Sequence, residues 1–214
     1  MAVIVDFFYG VGSRYSYLAS TQLPSIEEET GCRFRWRPLF SGDLIALRGA
    51  SPFQGHPVSG QYEWPYRQRD AEEWAALYGV PFREPPEELK GEEVPRRLAL
   101  ACTAAARLDA VEAYTRRLFR AVFADDRPSL GEEELGAYAV EVGLDRDRFL
   151  GELRDPAARD ALRATTEEAF RRGAFGVPTF LAGDRLYWGN DRLLLLKRHL
   201  RSLPSRAGHT DVVR

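Results

Sequence analysis

Cysteine is scarce in this 214-residue chain: there are only Cys32 and Cys102, isolated and far apart. That argues against a disulfide framework and excludes a Cys-x-x-Cys redox pair. Histidine is scarce too. His56, His199 and His209 fall in a loop, a terminal helix and the tail, with neither HExxH nor Cys/His spacing, so no metal is expected. No Ser-His-Asp constellation is evident either. Arginine greatly outnumbers lysine, yet 30 Lys and Arg face 32 Asp and Glu, and the net charge of -2 leaves no broad basic field for a nucleic-acid partner. No run approaches the ~18 apolar residues that cross a membrane. The opening "MAVIVDFFYG" lacks the basic start of a signal peptide. A cytoplasmic location, away from membranes, is the expectation.

What is present is apolar and periodic. Hydrophobic residues make up 44% of the chain, enough for a sizeable core. Residues 3–9 read as a buried strand, and Gly10 and Gly12 as a relaxed turn. Residues 15–30 suit a helix closed by Gly31. "CRFRWRPL" alternates, with Phe34 and Trp36 on one face and Arg33, Arg35 and Arg37 on the other. A strand-helix-strand opening of this kind predicts a parallel pair with a right-handed crossover.

Residues 41–68 read as irregular loop, and Asp70 as the N-cap of a helix stopping at Gly79. Residues 97–124 carry two helical stretches or one bent helix, and 132–142 and 146–153 carry shorter ones. Asp155-Pro156 starts another, which ends before Gly173. "VPTFLAGDRLYWG" predicts two strands about a Gly183-Asp184 turn, and Asn190 or Asp191 the cap of a last helix. The tail from Pro204 reads as loose. The organisation is α/β, long α, then α/β: residues 1–40 and 155–214 form one discontinuous sheet domain, and 41–154 an all-helical insertion.

Ser13 lies between the first strand and its helix, where amides and aligned peptide dipoles favour an anion. Its hydroxyl either caps the helix or donates to a bound anion. At "GAFGVPTF", a trans Val177-Pro178 bond is a strand edge, whereas a cis one presents the Val177 backbone to a peptide-like ligand. Asp191 either caps or accepts from a ligand amine, and Trp188 walls a pocket or fills core. "YEWPYRQRD" adds Trp64, Tyr66 and two arginines, a set that suits an aromatic acid or a plain surface.

Three ordered blocks, "DFFYGVGSRYSYLA", "WPYRQRDAEEWAALYGVPF" and "FGVPTFLAGDRLYWGNDRL", together resemble the 2-hydroxychromene-2-carboxylate isomerase family, of the DsbA-like and kappa-class glutathione transferase group. The resemblance runs over residues 3–200. It implies a thioredoxin-like fold with a large helical insertion, a homodimer, and a cis peptide before Pro178. It implies that the Ser13 hydroxyl stabilises the thiolate of bound glutathione, which lies against Val177 and Pro178 with Asn190, Asp191 and Arg192 nearby. Arg14, Tyr15, Trp64, Tyr66 and Trp188 would face a small aromatic substrate. The implied activity is glutathione-dependent isomerisation of an aromatic conjugated keto acid. Alternatives are a DsbA-like or kappa-class transferase with another thiol or substrate, and a non-catalytic thiol-ligand or peptide-binding module.

The chain differs from the redox branch at the Ser13 turn and departs from the isomerase pattern at three further points. Where the redox branch has Cys-x-x-Cys, it reads Ser13-Arg14-Tyr15-Ser16, which excludes dithiol exchange there. Arg14 stands where many relatives have proline, and Gly10 where many have Asp. Arg96 and Arg97 replace an Asn-Ser or Asn-Thr pair that helps form the glutathione-side pocket.

Overall fold

A computed structural model of the chain describes residues 2–49, 63–85, 87–125 and 130–203. His56, His209 and the tail from Pro204 lie outside the described residues. Four strands form one mixed sheet: β1 (Ile4–Tyr9), β2 (Arg33–Pro38), β3 (Thr179–Ala182) and β4 (Arg185–Trp188), in the order β2-β1-β3-β4. β1 and β2 run parallel, as a crossover demands, with Phe7 opposite Trp36. β3 is antiparallel to β1 and closes a hairpin with β4. Central β1 is covered on both faces, which explains why Val5 to Tyr9 are buried and, Asp6 apart, apolar. Phe7 and Tyr9 point into the main core, where Phe7 stacks on Phe180 at 5.0 Å. Phe8 points the other way, onto Leu39, Leu44 and Ala169.

Helix α1 (Arg14–Thr30) makes the crossover and ends on Gly31, whose φ of 68° is the left-handed cap that glycine favours. Pro24 sits inside α1 and cannot donate to the Ser20 carbonyl. Arg116 supplies the missing bond, Nη1 to that carbonyl at 3.2 Å. Between the two halves of the sheet come α2 (Ser41–Arg48), α3 (Trp64–Tyr78), a 3-10 turn (Glu87–Lys90), α4 (Glu93–Arg107), α5 (Val111–Phe123), α6 (Glu132–Glu141) and α7 (Arg146–Arg154). α8 (Pro156–Arg171) returns the chain to the sheet, and α9 (Leu193–Ser202) ends it. One hydrophobic cluster runs from the sheet through α4 to α7.

Three readings of the sequence need correction. Residues 41–48 are helix, not loop, and α3 starts six residues before Asp70. Pro65 in the first turn explains the early start: its fixed φ suits that place and its missing N–H costs nothing there. Asp70 is therefore inside a helix, not at its cap. Nor does Asn190 or Asp191 cap α9: both belong to a 3-10 turn (Asn190–Arg192) that takes up the first orphan amides.

Candidate functional site

The site grows from the end of β1. The chain turns through Gly10, Val11 and Gly12, and the Ser13 amide donates back to the Gly10 carbonyl at 3.0 Å. The turn does not draw on glycine's special freedom. Neither Gly10 nor Gly12 has positive φ, and a Cβ at either would meet neighbours at ordinary distances of 3.5 Å or more. Ser13 takes an extended conformation, and its Oγ accepts from the Ser16 amide at 3.2 Å. It is a genuine N-cap. Capping uses the oxygen as acceptor, however, so the hydroxyl proton remains for a ligand. The Arg14 and Tyr15 amides are orphan donors of the first turn.

The loop before β3 meets this helix mouth. Val177-Pro178 is cis. The Gly189 amide donates to the Pro178 carbonyl, and the Thr179 hydroxyl to the Gly176 carbonyl. Among the described residues, no such partner takes the Val177 amide or carbonyl. A hollow of ≈ 450 Å³ runs from Ser13 to Val177, walled by Arg14, Tyr15, Trp64 and Arg67. A second, of ≈ 300 Å³, joins Tyr15 and Val177 to Pro178, Trp188, Asn190, Asp191 and Arg192. Tyr15 and Val177 line both, so the two are neighbouring parts of one cleft. A larger hollow, ≈ 550 Å³, lies between α2, α4 and α8 and contains none of these groups.

The structure thus brings together Ser13, Arg14, Tyr15, Trp64, Val177, Pro178, Trp188, Asn190, Asp191 and Arg192. Tyr66 is 48% exposed and lines neither part. Arg96 and Arg97 do not intrude. Arg96 reaches Asp43 at 2.6 Å and lies over Phe40, and Arg97 donates to the Leu130 carbonyl. Pro95 and Glu92 line the cleft beside them.

Arg14 points inward, not to solvent. Its side chain is 4% exposed, pairs with Glu84 at 2.5 Å and lies over Trp64 at 4.2 Å. Burial holds its pKa below the usual value; Glu84 opposes that and the like charge of Arg67 adds to it. The Tyr15 hydroxyl donates to Asp70 at 2.7 Å, and burial together with that carboxylate pushes its pKa up. Tyr15 is therefore a fixed, protonated post between the two hollows. Trp74 and Glu84 escaped the sequence reading, which took Asp70 only as a cap and Arg67 only as one of two arginines beside Trp64 and Tyr66. Trp64, Arg67, Asp70 and Trp74 repeat at helical spacing, a signal visible once the helix is started at Trp64. Glu84 carried no signal, because its partner is distant in the chain.

Both thiols of the chain are buried. The sulfur chemistry of a thioredoxin-like site would have to come from a ligand.

The DsbA-like thioredoxin domain model matches residues 4–201. A 2-hydroxychromene-2-carboxylate isomerase of Sphingobium xenophagum is 30% identical over 94% of this chain and 99% of its own. Glutathione S-transferase kappa 1 of Rattus norvegicus is 24% identical over 90% of this chain and 88% of its own. A solved 2-hydroxychromene-2-carboxylate isomerase superposes with a TM-score of 0.78 at 29% identity, covering 92% of this chain and 94% of that one. With its mixed sheet, cis proline and helical additions, the chain belongs to the DsbA-like thioredoxin family and is related to the 2-hydroxychromene-2-carboxylate isomerases.

Proposed function

We propose that the protein is a glutathione-dependent isomerase acting on an aromatic, conjugated keto acid of the 2-hydroxychromene-2-carboxylate type. The observation that carries this reading is the placement of the Ser13 hydroxyl and the unpartnered Val177 backbone on one cleft. The residues fit the tripeptide. A strand edge at Val177 suits its peptide backbone, a helix mouth its sulfur, and Asn190, Asp191 and Arg192 its charged ends. When bound, glutathione would supply a thiolate that adds reversibly to a conjugated double bond, permitting rotation before it leaves again.

The chain's own groups do the rest. The Ser13 proton and the Arg14 and Tyr15 amides would stabilise the sulfur anion. One or two such bonds contribute about 1.4 kcal/mol, enough to lower a thiol pKa by about one unit. The Val177 amide and carbonyl would fix the ligand's register. Tyr15, held by Asp70, would keep a neutral hydroxyl beside the reacting region. A homodimer, which the resemblance implies, is part of the same proposal.

Calorimetric titration with glutathione tests the reading. Wild type is expected to bind, and Ser13→Ala to bind with a thiol pKa raised by about one unit, read from thiolate absorbance. Absence of binding by wild type at millimolar glutathione would end the proposal.

A further inference from the structure

The buried Arg14 side chain is incompletely satisfied. Nη2 pairs with Glu84, but Nη1 is buried with no hydrogen-bond partner among the described residues. Buried guanidinium nitrogens rarely stay unpaired, because a lost bond to a charged group is costly. Arg67 lies close enough for its charge to act on Arg14, and both guanidiniums lie near the Trp64 ring, at 4.2 and 5.9 Å from its centre. Both residues line the hollow that begins at Ser13. Among the described residues, the lining contains one carboxylate residue, Glu92, whose side chain is 80% exposed and faces Arg96 at 3.8 Å. Two guanidiniums therefore line this end of the cleft. Its remaining wall is apolar, with Leu39, Phe40 and Leu89.

We propose that Arg14 and Arg67, both beside Trp64, form an anion subsite that receives the carboxylate of a substrate with an apolar, conjugated body. A planar guanidinium matches a carboxylate in geometry and charge. Trp64 lies over Arg14, so binding there requires that ring, itself 36% exposed, to turn aside for the acid to reach Nη1. Arg14 and Arg67 then determine specificity, while the thiolate chemistry stays with Ser13. The inference deepens the isomerase reading and rests on it for the reaction, though not for the binding.

The test uses trans-cinnamate and its neutral isostere cinnamamide, titrated calorimetrically without glutathione. Wild type is expected to prefer the acid by about tenfold, the effect of one charge-assisted hydrogen bond. Arg14→Gln alone would remove the cation that Glu84 pairs with, so the neutral pair R14Q/E84Q is used and its fold checked by circular dichroism. There the preference is expected to fall to within about twofold. If that pair does not fold, R67Q decides, since it leaves the Arg14–Glu84 pair in place and is expected to weaken the preference several-fold. Equal affinities on wild type, no binding of either compound, or a preference that survives the deciding variant would overturn the subsite. A parallel glutathione titration separates the two ideas. Glutathione binding without acid preference leaves the isomerase reading and removes the subsite; acid preference without glutathione binding does the reverse.

Discussion

Cys102 is fully buried, with the Thr115 hydroxyl 3.4 Å from its sulfur. Burial pushes its pKa up to about 12, and burial raises that of Cys32 as well. The thiolate is the reactive form of cysteine, so neither is a nucleophile in the folded protein. A disulfide-exchange reagent at neutral pH is expected to label neither cysteine in the native state and both after denaturation. Rapid native labelling would show that the chain has a reactive sulfur and would undercut the need for a ligand's thiol. At this scale the sequence was a good guide wherever chemistry depends on a local turn. Ser13 and Val177-Pro178 could be found because strand, turn and helix signals flank them. The setting of Arg14 could not, since Glu84 meets it only through tertiary packing.

The junction of α7 and α8 shows how much one residue can carry. The Asp155 amide donates to the Gly151 and Glu152 carbonyls and so ends α7, while its carboxylate accepts from the Ala157 amide at 2.8 Å and so starts α8. Pro156 follows in the first turn. Asp155→Ala is expected to cost about 1 kcal/mol, read from the denaturant midpoint, with Asp155→Asn recovering most of it. Equal losses in the two variants would point to the Arg107 ion pair instead, although at 3.5 Å and on the surface it contributes little. This boundary was legible because Asp-Pro signals cap and first turn together. The start of α3 was missed: its N-cap position, Glu63, makes no side-chain cap, and only Pro65 marks the place. α2 has eight residues, too few for periodicity to show against its glycine and neighbouring loop.

Across the whole molecule, Asp6 ties distant parts of the chain together. It lies on β1, 3% exposed, and pairs with Arg35 on β2 and with Arg172 after α8, the latter at 2.6 Å. Burial alone would raise its pKa, but hydrogen bonds from the two arginines outweigh it and hold the carboxyl below its ordinary value. A lowered folded-state pKa gives stability that is complete above the unfolded value of about 3.9 and is lost as pH falls through the folded value. Asp6→Asn is expected to cost about 2 kcal/mol at neutral pH, with the penalty shrinking in acid. A penalty constant across the acid range would refute that account. The α/β, α, α/β order of the chain foretold the mixed sheet with helices inserted, and residues 41–154 as the inserted unit remain our proposal for its limits. The union of helical segment and sheet in one core was not legible, because side-chain contacts between distant segments leave no periodic trace.

The shared border of the two hollows at Tyr15 and Val177 has a consequence for ligand design. Two weak fragments, one seated in each hollow, need a bridge that passes only that border. Joining them turns the second contact into an intramolecular event at high effective concentration, for a gain in avidity of about 10²–10⁴-fold where the bridge fits.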